Sequence, residues 1–319
     1  MTALLLWLAF RGQDLQKIVL DLRNANYLWV IASAMVSIVA HYIRGLRWKM
    51  LIKPLGHEPS NANTYHAVMV GYLANLAVPR MGEISRCGVL NRTNKIPLNS
   101  LIGTVIIERI IDVLFLLSIL VFSILLEYSR IFDFIKINIL IPMFDKFSSS
   151  SILIYVFIGM LVIAVAVLYI IKAYHEKLLS IKLYNKLFEI LIGFKEGILS
   201  VIKMEKKGLF IVYSAAIWIL YILSTYLCYF AIESTSNLSF SSAIFVMAVG
   251  GIGMSAPVQG GIGAYEATVQ LGLLVYGIAA VNGLAYATLN HSSQILSILI
   301  FGSISLLYIF LKFRKNKND

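Results

Sequence analysis

Long apolar runs separated by short polar stretches organise this chain from end to end. Taking about 20 apolar residues as enough to cross the hydrocarbon core of a bilayer, the pattern predicts spanning helices over residues 101–126, 151–171, 209–232 and 284–311. Residues 27–43 form a shorter run that spans if its ends snorkel. Residues 1–10 are apolar but stop at Arg11, too short for a span. They lack a basic leading region and a polar cleavage segment, so they read as retained and not as a signal peptide.

Two further apolar stretches are interrupted. Residues 64–79, "TYHAVMVGYLANLAVP", run into Arg80, Gly82, Glu83 and Arg86. Residues 240–257, "FSSAIFVMAVGGIGMSAP", run into Gly260, Gly261, Gly263 and Glu266. In both, a proline (Pro79, Pro257) is followed three positions on by a glycine and soon after by a glutamate. Proline cannot donate a helical hydrogen bond and glycine holds helix poorly, so each stretch breaks and exposes backbone polar groups. Interrupted hydrophobic segments in matching positions of two halves point to a transporter-type binding site. The expectation is an all-α, polytopic membrane protein with six to eight spans. Its two re-entrant, broken helices sit in pseudo-symmetric inverted halves, about 1–130 and 151–319.

Composition agrees: 59% of the 319 residues are hydrophobic and 13% charged, against about 25% charged in ordinary soluble domains. Cys87 and Cys228 have no ligand-like spacing with the histidines, so neither a disulfide framework nor a metal site is expected. Of 27 lysines and arginines, twenty fall in residues 44–95, 172–207 and the tail, and six on the opposite side. The positive-inside rule then puts both termini in the cytoplasm, with the first interrupted stretch entering from that face and the second from the other. The net charge of +11 is thus a topology and lipid-surface signal, and nucleic acid is not expected as a partner. The lysine-rich run 172–207 suits a helix on the membrane surface or a cytoplasmic hairpin.

Charges inside apolar sequence are costly and mark functional sites by default. In "GTVIIERIIDVLF", Glu108 and Asp112 share a helix face, and Arg109 lies three residues before Asp112, close enough to pair with it. That cluster either locks helices together or serves as a relay, with Arg80 and Arg86 as natural partners. Arginine's planar fork suits phosphate oxygens, so Arg80, Arg86 and Arg109 suggest an anionic headgroup. Arg44, Arg47 and Trp48 in "RGLRW" read instead as an interface anchor. His291, with Asn290 and Gln294, reads as a packing stripe on the last span.

"RGLRW" at 44–48, "GYLANLAVPRMGEISR" at 71–86, "ERIID" at 108–112 and "SAPVQGGIGAYE" at 255–266 together resemble, in this order, the lysylphosphatidylglycerol synthase transmembrane family of flippase-like proteins. The resemblance implies kinship with the flippase half of the multiple peptide resistance factor, which moves aminoacylated phosphatidylglycerol between leaflets of the bacterial cytoplasmic membrane. No aminoacyl-transferase domain is expected after Asp319. The family's polar set would fall on Asn75, Arg80, Glu83, Arg86, Glu108, Arg109, Asp112 and Glu266 as headgroup-binding residues, and on Pro79, Gly82, Pro257, Gly260, Gly261 and Gly263 as helix breakers.

The expected function is translocation of an anionic or aminoacylated phospholipid, or of a lipid-linked headgroup. No cofactor or catalytic residue is expected, because no nucleophile stands at usable spacing from a base. Without an ATPase motif, uphill movement would draw on a gradient or a partner. The expected partners are membrane lipids, with a separate lipid-modifying enzyme and a second copy of the chain as further candidates. The rival is a membrane-embedded enzyme or accessory factor acting on a polyprenyl-phosphate or glycolipid, in line with the dolichol-phosphate-sugar synthetase label some relatives carry.

Overall fold

The computed structural model describes residues 2–142 and 204–318, and every regular element in them is helical. The chain divides into two units, Met1–Glu127 with Val201–Asp319, and Tyr128–Ser200. The smaller unit contributes α7 (Tyr128–Ile135), which runs into a π-helical turn at Lys136–Leu140. The span expected at 151–171 and nearly all of the basic run 172–207 lie outside the described residues.

The larger unit contains α1 (Thr2–Phe10), α2 (Leu15–Arg23), α3 (Tyr27–Ile52), α4 (Asn61–Ala77), α5 (Met81–Asn94) and α6 (Leu98–Leu126). After the smaller unit come α8 (Lys207–Tyr229), α9 (Phe240–Met254), α10 (Ala264–Leu274) and α11 (Ala280–Asn318). Among the described residues, four helices (α3, α6, α8 and α11) are long and apolar enough to cross a membrane. Their outward side chains are apolar: Leu28 is 78% exposed, Leu125 68% and Phe310 63%. A water-soluble surface does not sustain so much contiguous apolar area, and lipid does.

Local chemistry starts the elements. Asp14 caps α2 by accepting from the Lys17 amide, and Asn26, Ser60 and Ser239 cap α3, α4 and α9 in the same way. The apolar run at 1–10 forms α1, nine residues followed by a turn at Gly12 and then α2. The span expected at 27–43 continues to Ile52. Arg44 and Arg47 do not end the span, because both are buried and paired.

α3 runs antiparallel to α8, with the Asn26 amide donating to the Ala231 carbonyl at 2.8 Å where α3 begins and α8 ends. Small residues let the two helices approach: the Ser33 and Ser37 hydroxyls meet the Ser224 hydroxyl at 2.9 and 2.8 Å. α4 and α5 form one hairpin, α9 and α10 another. The mouth of the first is closed by Asn63 donating to Asn94 at 2.9 Å, and Lys312 near the end of α11 donates to Asn63 at 2.8 Å. The mouth of the second lies at the opposite end of the bundle, where Ser242 reaches Tyr229 at the end of α8 and Gln270 donates to Ala280 at the start of α11.

The hairpins therefore enter from opposite ends, and their tips touch: Gln259 donates to the Ala77 carbonyl at 3.3 Å, and Gly260 lies against Leu76. At 1.5 Å per residue, α4 and α9 are about 25 and 22 Å long. Together they match a bilayer with its headgroups, about 40–45 Å, so the tips meet in the interior.

Candidate functional site

Three helices deliver a buried ionic network. Arg44 and Arg47 on α3, one turn apart, face Glu108 and Asp112 on α6, also one turn apart, and Arg86 arrives from α5. Arg44 Nε donates to Glu108 at 2.8 Å, and its Nη2 pairs with Asp112. Arg47 donates to Asp112 at 2.7 Å and, from its other terminal nitrogen, to the Ser214 hydroxyl on α8 at 3.3 Å. Arg86 spans both Glu108 oxygens at 3.2 and 3.0 Å, and its guanidinium lies 4.6 Å from the centre of the Trp48 ring. Trp48 itself donates to Thr104 on α6 at 2.9 Å.

Three guanidinium groups thus face two carboxylates, an excess of one positive charge, and all five side chains are buried. Arg47 Nε and Arg86 Nη2 have no hydrogen-bond partner among the described residues. The network sits about 12–15 Å in from the ends of α3 and α6, counting eight residues from Arg44 to Ile52 and ten from Leu98 to Glu108. Such a cluster is tolerated at that depth because each carboxylate is multiply bonded.

Two expectations are corrected here. Arg44, Arg47 and Trp48 are not an interface anchor; they form one wall of the network, because residues 44, 47 and 48 share the face of α3 that packs on α6 and α8. Arg109 does not pair with Asp112. It donates instead to Glu83 on α5 at 2.6 Å, at a partly exposed position. Residue 109 lies about 100° around the helix from 108, so it points away from the face Glu108 and Asp112 share, and Asp112 is already held by α3.

At the tip of the first hairpin, the Asn75 side-chain oxygen accepts from the Gly82 amide at 2.7 Å. A Cβ on Gly82 would land on the Gly71 carbonyl oxygen and the Asn75 side chain, so only glycine permits this crossing. Pro79 ends the rising arm and Arg80 turns the chain with a left-handed φ of 64°. The Arg80 side chain is exposed and makes no hydrogen bond or ion pair among the described residues.

The second tip runs from Ser255 through Pro257 to Gly263, with Gly260, Gly261 and Gly263 at φ of 56°, 79° and 86°. Glu266 is 5% exposed, and both its oxygens are engaged. One accepts from the Gly263 amide at 2.6 Å; the other meets His291 Nδ1 at 2.7 Å. The other ring nitrogen of His291 meets the Gly260 carbonyl at 2.9 Å. The packing stripe expected on α11 is thus a set of polar bonds: Asn290 donates to the Tyr265 hydroxyl at 2.9 Å, and Gln294 donates to Asn290 at 3.2 Å. Nothing in the spacing of His291 pointed to Glu266, 25 residues earlier; only the packing of α11 on α10 joins them. The expected site residues therefore form three groups, Glu83, Arg86, Glu108, Arg109 and Asp112 around α6, Asn75 and Arg80 at the first tip, and Glu266 on the other hairpin.

Among the described residues no group of three or more His, Cys, Asp or Glu side chains is placed to hold a metal ion. Cys87 and Cys228 are free and buried.

The chain is 32% identical over 151 residues to the UPF0104 membrane protein MJ1595 of Methanocaldococcus jannaschii, covering 46% of this chain and 44% of that one. It is 26% identical over 102 residues to the glycosyltransferase AglD of Haloferax volcanii, covering 32% of this chain and 16% of that protein. The chain thus spans less than half the length of either relative. No solved structure matches it significantly. The model of the lysylphosphatidylglycerol synthase TM region matches residues 1–302, and the chain belongs to that family.

Proposed function

We propose that this integral membrane protein translocates a lipid with an anionic or aminoacylated headgroup. Its family places it in lipid metabolism or transport; movement across the bilayer is the more specific step. The observation that carries it is the meeting of two broken hairpins in the interior, with Arg80, exposed and unpaired among the described residues, beside the junction. A charged side chain at that depth is expensive unless it faces water or an ion of opposite sign. A phosphodiester supplies one, and the guanidinium fork binds it through paired oxygens.

The surrounding residues divide the work. Arg44, Arg47, Arg86, Glu108 and Asp112 hold α3, α5 and α6 in one arrangement, and their excess positive charge biases the interior toward an anion. The partly exposed Glu83–Arg109 pair between α5 and α6 supplies a contact for a cationic group on an aminoacylated headgroup. Lipid tails stay in the bilayer while the headgroup passes the tips. No group in this arrangement acts as a nucleophile, so the protein moves its lipid without changing it. Both termini face the cytoplasm, and a separate enzyme makes the lipid. The short match to a glycosyltransferase makes polyprenyl-phosphate lipids the second class to test.

The test is translocation in proteoliposomes of purified protein with headgroup-labelled anionic, zwitterionic, aminoacylated and polyprenyl-phosphate lipids. Movement of an anionic or aminoacylated lipid is expected, falling at least about tenfold in Arg80→Gln, the loss of one charged contact of roughly 1.4 kcal/mol or more. Absence of movement for every lipid by folded protein would overturn the proposal.

A further inference from the structure

The hydrogen-bond geometry around His291 determines how many protons it shares with Glu266. Nε2 faces the Gly260 carbonyl oxygen at 2.9 Å, and a carbonyl only accepts, so Nε2 carries a hydrogen. Nδ1 faces Glu266 Oε1 at 2.7 Å. That contact needs one more proton, on Nδ1 as imidazolium beside carboxylate or on Oε1 as carboxylic acid beside neutral imidazole. The remaining Glu266 oxygen already accepts from the Gly263 amide. In either arrangement the pair is neutral overall and holds one proton at the bond between α10 and α11.

We propose that Glu266 and His291 form a buried proton-binding site whose occupancy latches the tip of the second hairpin to α11. Release of the proton to water leaves the pair with a net charge of −1 and two acceptors, the carboxylate and the Nδ1 lone pair, facing each other. They separate, and with them goes the bond from His291 to Gly260. The loop from Ser255 to Gly263 then loses its only side-chain tie to α11 among the described residues. Because Gln259, the neighbour of Gly260, holds the first hairpin at Ala77, the junction between the tips loosens at the same time. The latch stands by itself; its use to couple lipid movement to a proton gradient rests on the transport proposal.

No other charged side chain among the described residues lies within ion-pairing distance of either group. The Tyr265 ring on α10 lies tilted with its centre 4.7 Å from that of His291, and its hydroxyl accepts from Asn290. Tyr286 on α11 donates to the Thr225 carbonyl, and Tyr229 and Cys228 on α8 are buried beside it. Of the other elements against α11, α4 brings His66, bonded to Ser305, and Tyr72, stacked on His41. α3 brings Arg44 and Arg47, and α5 Glu83 and Arg86, all paired with partners other than Glu266 and His291. α2 carries Asp14, which caps its own helix, with Lys17, Asp21 and Arg23, and the turn Glu233–Thr235, which also meets α11, carries the exposed Glu233. α1 and α9 contribute no titratable group.

Two substitutions should act in opposite directions. In Glu266→Gln the amide oxygen accepts from Gly263 while the amide N–H donates to a neutral His291, so the latch does not open as pH rises. In His291→Leu it is open at every pH. The reporter is the alkylation rate of Val258→Cys, a tip position only 6% exposed while the latch is closed, measured in liposomes from pH 5 to pH 9; the native Cys87 and Cys228 are buried. With the native pair, the rate divided by that of the same cysteine in Glu266→Gln, a ratio that removes the growth of thiolate with pH, is expected to rise at least about fivefold as pH increases. Nitrogen NMR of histidine-labelled protein, assigned by loss of the signal in His291→Leu, should show Nδ1 passing from a protonated or hydrogen-bonded nitrogen to a bare lone pair over the same interval. A ratio to Glu266→Gln that stays constant with pH, or a Glu266→Gln tip as reactive as that of His291→Leu, would overturn the latch. Neither readout requires lipid movement, so failure of the transport proposal is seen separately.

Discussion

The two hairpins have the same plan, an arm, a proline, a glycine turn and a returning arm, but are held by different forces. The first is fastened by charge: Arg86 on its returning arm binds Glu108, which also binds Arg44. The second is fastened by close packing of small residues and one Glu266–His291 contact. A Cβ on Gly253 would meet Thr268 and, at 2.8 Å, the Ala264 carbonyl, and one on Gly250 would meet the Tyr265 ring at 2.9 Å. A network of five buried charges resists separation, because moving one leaves the others uncompensated. A single proton-sharing pair separates when one proton leaves. The first hairpin is thus built as the fixed element and the second as the movable one.

The sharpest way to break that comparison is to remove one acid from each side. Glu108→Ala leaves three arginines short of a partner and should cost about 3–5 kcal/mol, read as unfolding in detergent micelles. Glu266→Ala leaves a neutral histidine and one unpaired amide, and should cost about 1–3 kcal/mol. Equal losses would mean that the hairpins are held alike.

Gly82→Ala forces a Cβ onto the Gly71 carbonyl and should cost about 1–3 kcal/mol through overpacking. Gly88→Ala, six residues on along α5 where nothing lies within 4 Å, should be neutral or stabilise by up to about 1 kcal/mol, since alanine is the better helix former. The two together separate tip crossing from helix propensity. The smallest effect is expected for Arg109→Gln. Its pair with Glu83 has side chains 44% and 29% exposed, and such pairs contribute about 0–1 kcal/mol. A loss as large as that of Glu108→Ala would place Arg109 inside the fixed network.

Much of this was legible along the chain. The four described spans follow from apolar length, and the places where α4 and α9 end follow from Pro79, Pro257 and the glycines, because backbone conformation there is dictated locally. The depth of Arg44 and Arg47 was not. An arginine at the end of an apolar run has the same local pattern whether it snorkels to a headgroup or pairs inside, and Glu108 and Asp112 decide between them from 64 and 68 positions away.

Sequence alone determined the solvent of this protein and the positions of its breaks, since burial of apolar length and the backbone limits of proline and glycine act within a few residues. Tertiary structure decided the partner of each charge. Arg109 went to Glu83 instead of Asp112, and His291 closed on Glu266, because ionic contacts depend on which helix faces meet, and those faces are brought together only by packing.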